Sequence, residues 1–205
     1  MVGGSPKITT ISWSELFSDT LELAKRIISS GFIPERLIVV VRGGLVVGRI
    51  LSDLLQVKEL VNLPVSFYKG VGTTRDKPVI SADIDESTIK GRSVLIVDDI
   101  VDTGETLKAV LAYVESLKPR IVRSAAPYVK PWANPFPDYY VKIVEDWVVF
   151  PYELRETMET LPANTAENLG LDEKTLEEIK TLIGMFNAEK EGTSREPQGN
   201  TNGLL

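Results

Sequence analysis

Residues 94–107 read Val-Leu-Ile-Val-Asp-Asp-Ile-Val-Asp-Thr-Gly-Glu-Thr-Leu. One Asp at the end of an apolar run is commonplace and often caps the next helix. Three of them, followed by Thr-Gly-x-Thr opening an amphipathic stretch, are far more specific. The chemistry is coherent. Backbone N–H groups from Thr103, Gly104, Glu105 and Thr106 would point out of a helix N-terminus, where the dipole favours an anion. Gly104 permits a tight turn and close backbone approach. The Thr103 and Thr106 hydroxyls can donate to phosphate oxygens. Asp98 and Asp99 stand just before this cradle and suit ribose hydroxyls, directly or through a hard cation. Together these residues describe a pocket for a ribose 5-phosphate.

Composition narrows the means available. The 205-residue chain has no Cys and no His. That removes thiolate and imidazole metal sites, cysteine nucleophiles and Ser-His-Asp triads. A metal would need oxygen ligands, which points to Mg²⁺ or Mn²⁺. The net charge of −6 argues against nucleic acid as partner. Apolar runs such as Leu37 to Val41 are far too short to span a membrane. The N-terminus has no basic segment leading into an apolar one, so no signal peptide and a cytoplasmic location are expected.

A site of this kind needs strands that end together. Val94 to Val97 is the clearest strand, and Leu107, Val110, Leu111, Val114 and Leu117 form the face of the helix after it, ended by Pro119. Leu37 to Val41 is an uninterrupted β-branched run, typical of a strand buried on both faces. Arg42-Gly43-Gly44 breaks it, and helical spacing resumes at Val47, Ile50, Leu51, Leu54 and Leu55. Before these, Ser12-x-x-Glu15 has the form of a capping box. Leu16, Phe17, Thr20, Leu21, Ala24, Ile27 and Ile28 then recur at helical spacing, and Gly31 stops the helix. Leu60 to Tyr68 predicts a strand made irregular, or placed near an edge, by Pro64. Lys69 to Pro78 predicts a mobile loop, and Ile121 to Tyr128 and Tyr139 to Val144 predict further strands. Alternating strands and helices imply an α/β fold around a parallel sheet. Asp172 caps a last amphipathic helix through Leu176, Ile179, Ile183 and Phe186.

The Asp98–Thr106 segment resembles the phosphoribosyl pyrophosphate (PRPP) signature of the type I phosphoribosyltransferases. The resemblance implies that family's fold, a central mostly parallel sheet flanked by helices with a small hood. It also implies that the acidic pair holds the ribose hydroxyls and that Asp102 to Thr106 hold the 5′-phosphate. Val40 to Leu45 resembles the family's pyrophosphate loop, with Arg42 and Gly43 as its binding residues and a cis peptide at Val41–Arg42. Lys69 to Pro78 matches the catalytic loop in place, with Tyr68 at its base.

Tyr128-Val129-Lys130-Pro131 and Trp147 to Glu153 resemble the 6-oxopurine branch, the hypoxanthine and xanthine-guanine enzymes. Carried over, Lys130 donates to the purine O6, Trp147 stacks on the base and the Val148 main chain meets the group at C2. Asp98, Asp99 and Glu153 are the implied metal ligands, with Glu153 replacing the more usual Asp and Phe150 a more usual polar residue. Asp102 is the implied general base. The implied activity is Mg²⁺-dependent transfer of 5-phosphoribosyl from PRPP to a 6-oxopurine, giving a nucleoside 5′-monophosphate and pyrophosphate in purine salvage. Two alternatives stay open: a PRPP-sensing regulator on the same fold, or a transferase for another base. The family habit also implies a homo-oligomer, dimer or tetramer. The domain organisation expected is a phosphoribosyltransferase domain with hood at 1–153, a C-terminal helical extension at 154–186 and a disordered tail at 187–205.

Overall fold

The β-branched runs form the centre of the sheet in the computed structural model, which describes residues 7–68, 77–160 and 170–193. The chain divides into two compact units. The larger spans Ser14–Glu145, and the smaller combines Met1–Trp13 with Asp146–Leu205. The smaller unit joins the two ends of the chain because its N-terminal strand, Ile8–Thr10, pairs with Trp147–Val149.

The larger unit is built on β2 (Arg36–Val41), β3 (Leu60–Tyr68), β4 (Lys77–Ile80), β5 (Ser93–Val97) and β7 (Ile121–Ala125), in the order β4-β3-β2-β5-β7. All pairings are parallel except β3 with β4. The interior of β2 and all of β5 are buried, as apolar runs covered on both faces require. On one face Ile38, Val40, Val94 and Ile96 join Leu107, Val110 and Val114 of α4 (Glu105–Ser116) in the main core. On the other, Gly48 of α2 (Gly44–Leu54) lies so close that a Cβ would meet the Val39 side chain at 2.6 Å. Helix α1 (Trp13–Ser29) ends before Gly31, whose φ is +77°. Its buried stripe is Leu16, Thr20, Leu23, Ala24 and Ile27, while Phe17, Leu21 and Ile28 are exposed.

Proline explains two departures from the predicted strands. β3 pairs with β2 from Leu60 to Pro64 and with β4 from Val65 to Tyr68, so Pro64 sits where the strand changes partner. Residues 121–128 do not form one strand. β7 ends at Ala125, Pro127 cannot donate to a ladder, and β8 (Tyr128–Val129) belongs to a second parallel sheet, β6-β8-β9. There β6 is Ile100–Val101 and β9 is Lys142–Ile143, shorter than the predicted 139–144. Lys77 and Pro78 open β4 rather than closing a loop. The other residues of the predicted loop, 69–76, lie outside those described. A four-residue helix, α3 (Glu86–Ile89), precedes β5.

A buried polar tie fixes β8 and β9 to α1. The Tyr128 hydroxyl donates to Asp19 Oδ2 at 2.6 Å, and Lys142 Nζ lies 2.8 Å from the same oxygen and 2.9 Å from Glu15 Oε1. Burial, then the bond to Asp19 and its charge, push the Tyr128 pKa upward. Tyr128→Phe removes one donor from a buried carboxylate, which ordinarily costs about 1–3 kcal/mol. Urea denaturation should show a midpoint lowered accordingly with unchanged slope, and an unaltered midpoint would deny the tie any role in stability.

In the smaller unit β1 (Ile8–Thr10) pairs in parallel with β10 (Trp147–Val149). Helices α5 (Leu154–Thr160) and α6 (Glu173–Thr193) follow. Val149 and Leu176 form a small core with Ile8, Leu154, Met158 and Leu171. Asp172 caps α6 by accepting from Thr175 N at 2.7 Å. The helix continues to Thr193, past the end expected at residue 186, and the rest of the expected tail, 194–205, lies outside the described residues. Among the described residues no helix is long and apolar enough to cross a membrane.

Candidate active site

β2 and β5 are neighbours from which the chain departs in opposite directions, β2 to β3 on one side and β5 to β7 on the other. That is the switch point at whose carboxyl ends open α/β sheets bind ligands. The glycine loop after β2 and the acidic segment after β5 both sit there, and the structure brings them into contact. Gly43 faces Asp99 so closely that a Cβ would lie 2.1 Å from Asp99 Oδ2. A Cβ on Gly44 would meet the Val97 carbonyl oxygen at 2.7 Å. The Val41–Arg42 peptide is cis, as the family resemblance implies, and Arg42 is exposed.

Asp99 is buried and Asp98 half-buried. Asp98 Oδ1 accepts from Asp99 N at 3.0 Å and Asp99 Oδ1 from Ile100 N at 2.9 Å. Burial first, then the Asp99 charge and the bond between the two side chains, hold the Asp98 carboxyl well above the usual carboxylate range. Sugar hydroxyls or a hard cation placed here would relieve that crowding of negative charge.

The turn into α4 is tight, as the Thr-Gly-x-Thr run predicts. Gly104 is the N-cap of α4 with φ +90°, and a Cβ there would also strike the Asn134 backbone at 2.4 Å. Glu105 N donates to Thr103 Oγ1 at 3.3 Å. Thr103 is exposed and Thr106 half-buried.

The segment after β8 runs along the acidic loop. Lys130 N donates to the Val101 carbonyl and Asn134 N to the Thr103 carbonyl, each at 2.9 Å, and Ala133 N closes a turn onto the Lys130 carbonyl at 3.0 Å. Asp102, exposed between those anchors, accepts from the indole N–H of Trp132 at 3.0 Å. Lys130 is only 7% exposed, which excludes a solvated surface lysine. Its ammonium lies 3.4 Å from the Glu145 carbonyl oxygen and 5.5 Å from the centroid of the Trp132 ring. Sequence reasoning passes over Trp132. Its only signal is its place two residues beyond Lys130, because a tryptophan among Pro, Ala and Asn reads as surface.

The other predicted residues belong to the smaller unit. Trp147 stands on β10 opposite Ile8 with its side chain 57% exposed, so it is not a core tryptophan, and the Val148 side chain is buried. Phe150 is buried and stacks on Tyr152 with centroids 5.2 Å apart, so this position serves packing. The Glu153 carboxylate turns back to accept from Phe150 N at 3.2 Å.

The family of the phosphoribosyl transferase domain matches residues 12–157. This chain belongs to the type I phosphoribosyltransferases. Its relatives place it in their 6-oxopurine branch. A xanthine-guanine phosphoribosyltransferase of Gluconobacter oxydans is 31% identical over 70% of this chain and 83% of that protein. One of Cereibacter sphaeroides is 32% identical over 70% of this chain and 86% of its own length. Among solved structures, a purine phosphoribosyltransferase from Pyrococcus horikoshii is 35% identical with a TM-score of 0.63, over 71% of this chain and 93% of that one. The enzyme is thus a purine phosphoribosyltransferase, and the match ends at 157, before α6 begins.

Proposed function

We propose that this phosphoribosyltransferase moves a 5-phosphoribosyl group from PRPP to N9 of a 6-oxopurine, releasing pyrophosphate. The observation that carries the reading is a single run of contacts in the larger unit: the glycine loop against Asp99, and the Lys130 segment hydrogen-bonded along Val101 to Thr103. They set the glycine loop and the acidic segment together at the carboxyl ends of β2 and β5, with a buried cationic donor alongside the acidic segment, which supports the reading. The names of the relatives, xanthine-guanine and purine transferases, support the same substrates.

The donor set fits a divalent ion held partly by substrate. Among the described residues no cluster of three or more acidic side chains could hold a metal alone. Mg²⁺ is commonly bound through one or two carboxylates, waters and substrate phosphates. Asp98 and Asp99 would hold it. Glu153, whose Oε2 accepts from Phe150 N, is the carboxylate the family resemblance implies for a second metal ion. When bound, Mg²⁺ or Mn²⁺ neutralises charge on the pyrophosphate.

The chain supplies the rest. The α4 N-terminus and the Thr103 and Thr106 hydroxyls hold the 5′-phosphate. Arg42 and the N–H groups entering α2 receive charge as pyrophosphate departs. Lys130 donates to O6 of the base; for Trp147 and the Val148 main chain, in the smaller unit, the family resemblance implies stacking and a contact at C2. As N9 attacks C1′ and the C1′–O bond to pyrophosphate breaks, Asp102 accepts the N7 proton. A homo-oligomer, by family habit, and a cytoplasmic location are part of the same reading.

The test is a panel of radiolabelled bases with PRPP, with EDTA and with added Mg²⁺. Turnover of hypoxanthine, guanine or xanthine is expected with metal and its loss with EDTA. Full turnover in EDTA would remove the metal, and PRPP binding without transfer to any base would replace the enzyme by a sensor.

A further inference from the structure

The proton acceptor in the proposed reaction must be aimed. Asp102 is exposed on the loop between β6 and α4, where a carboxylate has rotational freedom of its own. Its Oδ1 is held by the indole N–H of Trp132 at 3.0 Å. Trp132 is itself set by the backbone bonds on either side of it, Lys130 N to the Val101 carbonyl and Asn134 N to the Thr103 carbonyl. The two segments therefore run side by side, with Trp132 opposite Asp102. Gly104 lets the Asn134 backbone come close enough for this, since a Cβ would meet it at 2.4 Å.

We propose that Trp132 is a positioning residue for the transfer reaction, fixing the Asp102 carboxylate so that Oδ2 receives the purine N7 proton. The proposal rests on the reading of Asp102 as the proton acceptor. An indole nitrogen donates one hydrogen bond and accepts none. It can orient Oδ1 without competing for the proton, which a second titratable group would do. The proton leaves N7 and bonds to Oδ2, the N7–H electron pair stays with the purine, and the Trp132 N–H bond is not broken. The ring has a further tie. The Lys130 ammonium stands 5.5 Å from its centroid, within the range of attraction to an aromatic face. The donor that reads O6 and the carboxylate that takes the N7 proton are thus held through one side chain. O6 and N7 are neighbours on one edge of the purine.

Trp132→Phe removes the N–H and keeps a ring for Lys130. At saturating substrates kcat should fall about tenfold or more, by less than the roughly 10²–10⁴-fold expected for losing the acceptor itself in Asp102→Ala. KM for PRPP should stay at its wild-type value, which also reports that the variant is folded. In the Asp102→Ala background Trp132→Phe should cause no further loss, because a residue acting through Asp102 has nothing left to position. A direct signature is available. The chain has three tryptophans, so three indole N–H signals are expected by NMR. The one missing from Trp132→Phe should move in Asp102→Ala. Multiplying losses in the double variant, a full-rate Trp132→Phe, or an indole signal indifferent to Asp102→Ala would overturn the positioning role while leaving the proposed reaction standing. Wild-type kcat in Asp102→Ala would instead remove the proton-acceptor reading, and the positioning role with it.

Discussion

Gly43→Ala is expected to weaken PRPP binding by about ten- to a hundredfold while the protein stays folded. The argument is steric and local. The backbone at Gly43 has φ −55° and ψ −45°, which alanine adopts without strain. The whole effect must therefore come from what the new methyl meets. It would lie 2.1 Å from Asp99 Oδ2, 2.5 Å from Cγ and 2.6 Å from Oδ1, where ordinary contact begins near 3.4 Å. Asp99 cannot swing away freely, because it is buried and its Oδ1 accepts from Ile100 N. Either the carboxylate leaves its place or the glycine loop moves off the sheet. Each outcome disturbs a group assigned to PRPP, one at the ribose and one at the pyrophosphate. Overpacking of this kind typically costs about 1–3 kcal/mol, and about 1.4 kcal/mol is tenfold in an equilibrium. Calorimetric titration with PRPP and Mg²⁺, beside a thermal melt, makes the measurement. Wild-type affinity in a folded Gly43→Ala would mean that this contact plays no part in holding the substrate.

The same contact marks where sequence reading stops. Gly43 and Asp99 are each legible by local chemistry, one as the turn after a buried strand and the other beside an anion cradle. That they touch follows only from the parallel pairing of β2 with β5, which the alternation of elements implies in outline but not in register. Gly104 was legible twice over, since the motif asks for a tight turn and the structure gives it φ +90°. The strands β2 and β5 emerge within a residue of their apolar runs, because burial on both faces leaves a continuous pattern. The elements beyond β7 do not. Their strands are two or three residues long, too short to show a period, and Pro127 ends a run whose apolar character continues. The pairing of β1 with β10 joins residues far apart in the chain, and no local pattern announces it. Trp132 was missed for a related reason. Its importance lies in one N–H directed at a carboxylate thirty positions away, and hydrogen-bond direction leaves no periodic trace.

Lys130 carries the prediction about specificity. A lysine is rarely buried without an assigned partner, and this one is 7% exposed with its ammonium 3.4 Å from the Glu145 carbonyl oxygen. An ammonium has three N–H donors and accepts nothing. A 6-oxopurine presents an acceptor oxygen at position 6, whereas adenine presents an amino group that can only donate there. Adenine bound in the same pose would set donor against donor at a buried charge. Sites built around a hydrogen bond reject a ligand lacking the partner by roughly 10⁴–10⁵-fold. Adenine should accordingly be a poor substrate beside hypoxanthine, guanine or xanthine. Lys130→Ala should lower kcat/KM for the oxopurines by about a hundredfold or more, and narrow the gap to adenine because the misplaced donor is gone. PRPP affinity should hardly change, since the contacts assigned to PRPP run from Arg42 to Gly43 and from Asp98 to Thr106. Measuring both bases and PRPP binding on the same variant separates the two halves of the site. A preference for adenine in the wild type, or an oxopurine kcat/KM untouched by Lys130→Ala, would move the enzyme out of the proposed substrate class. A parallel collapse of PRPP affinity would instead show that the Lys130 side chain supports the acidic loop and does not read the base.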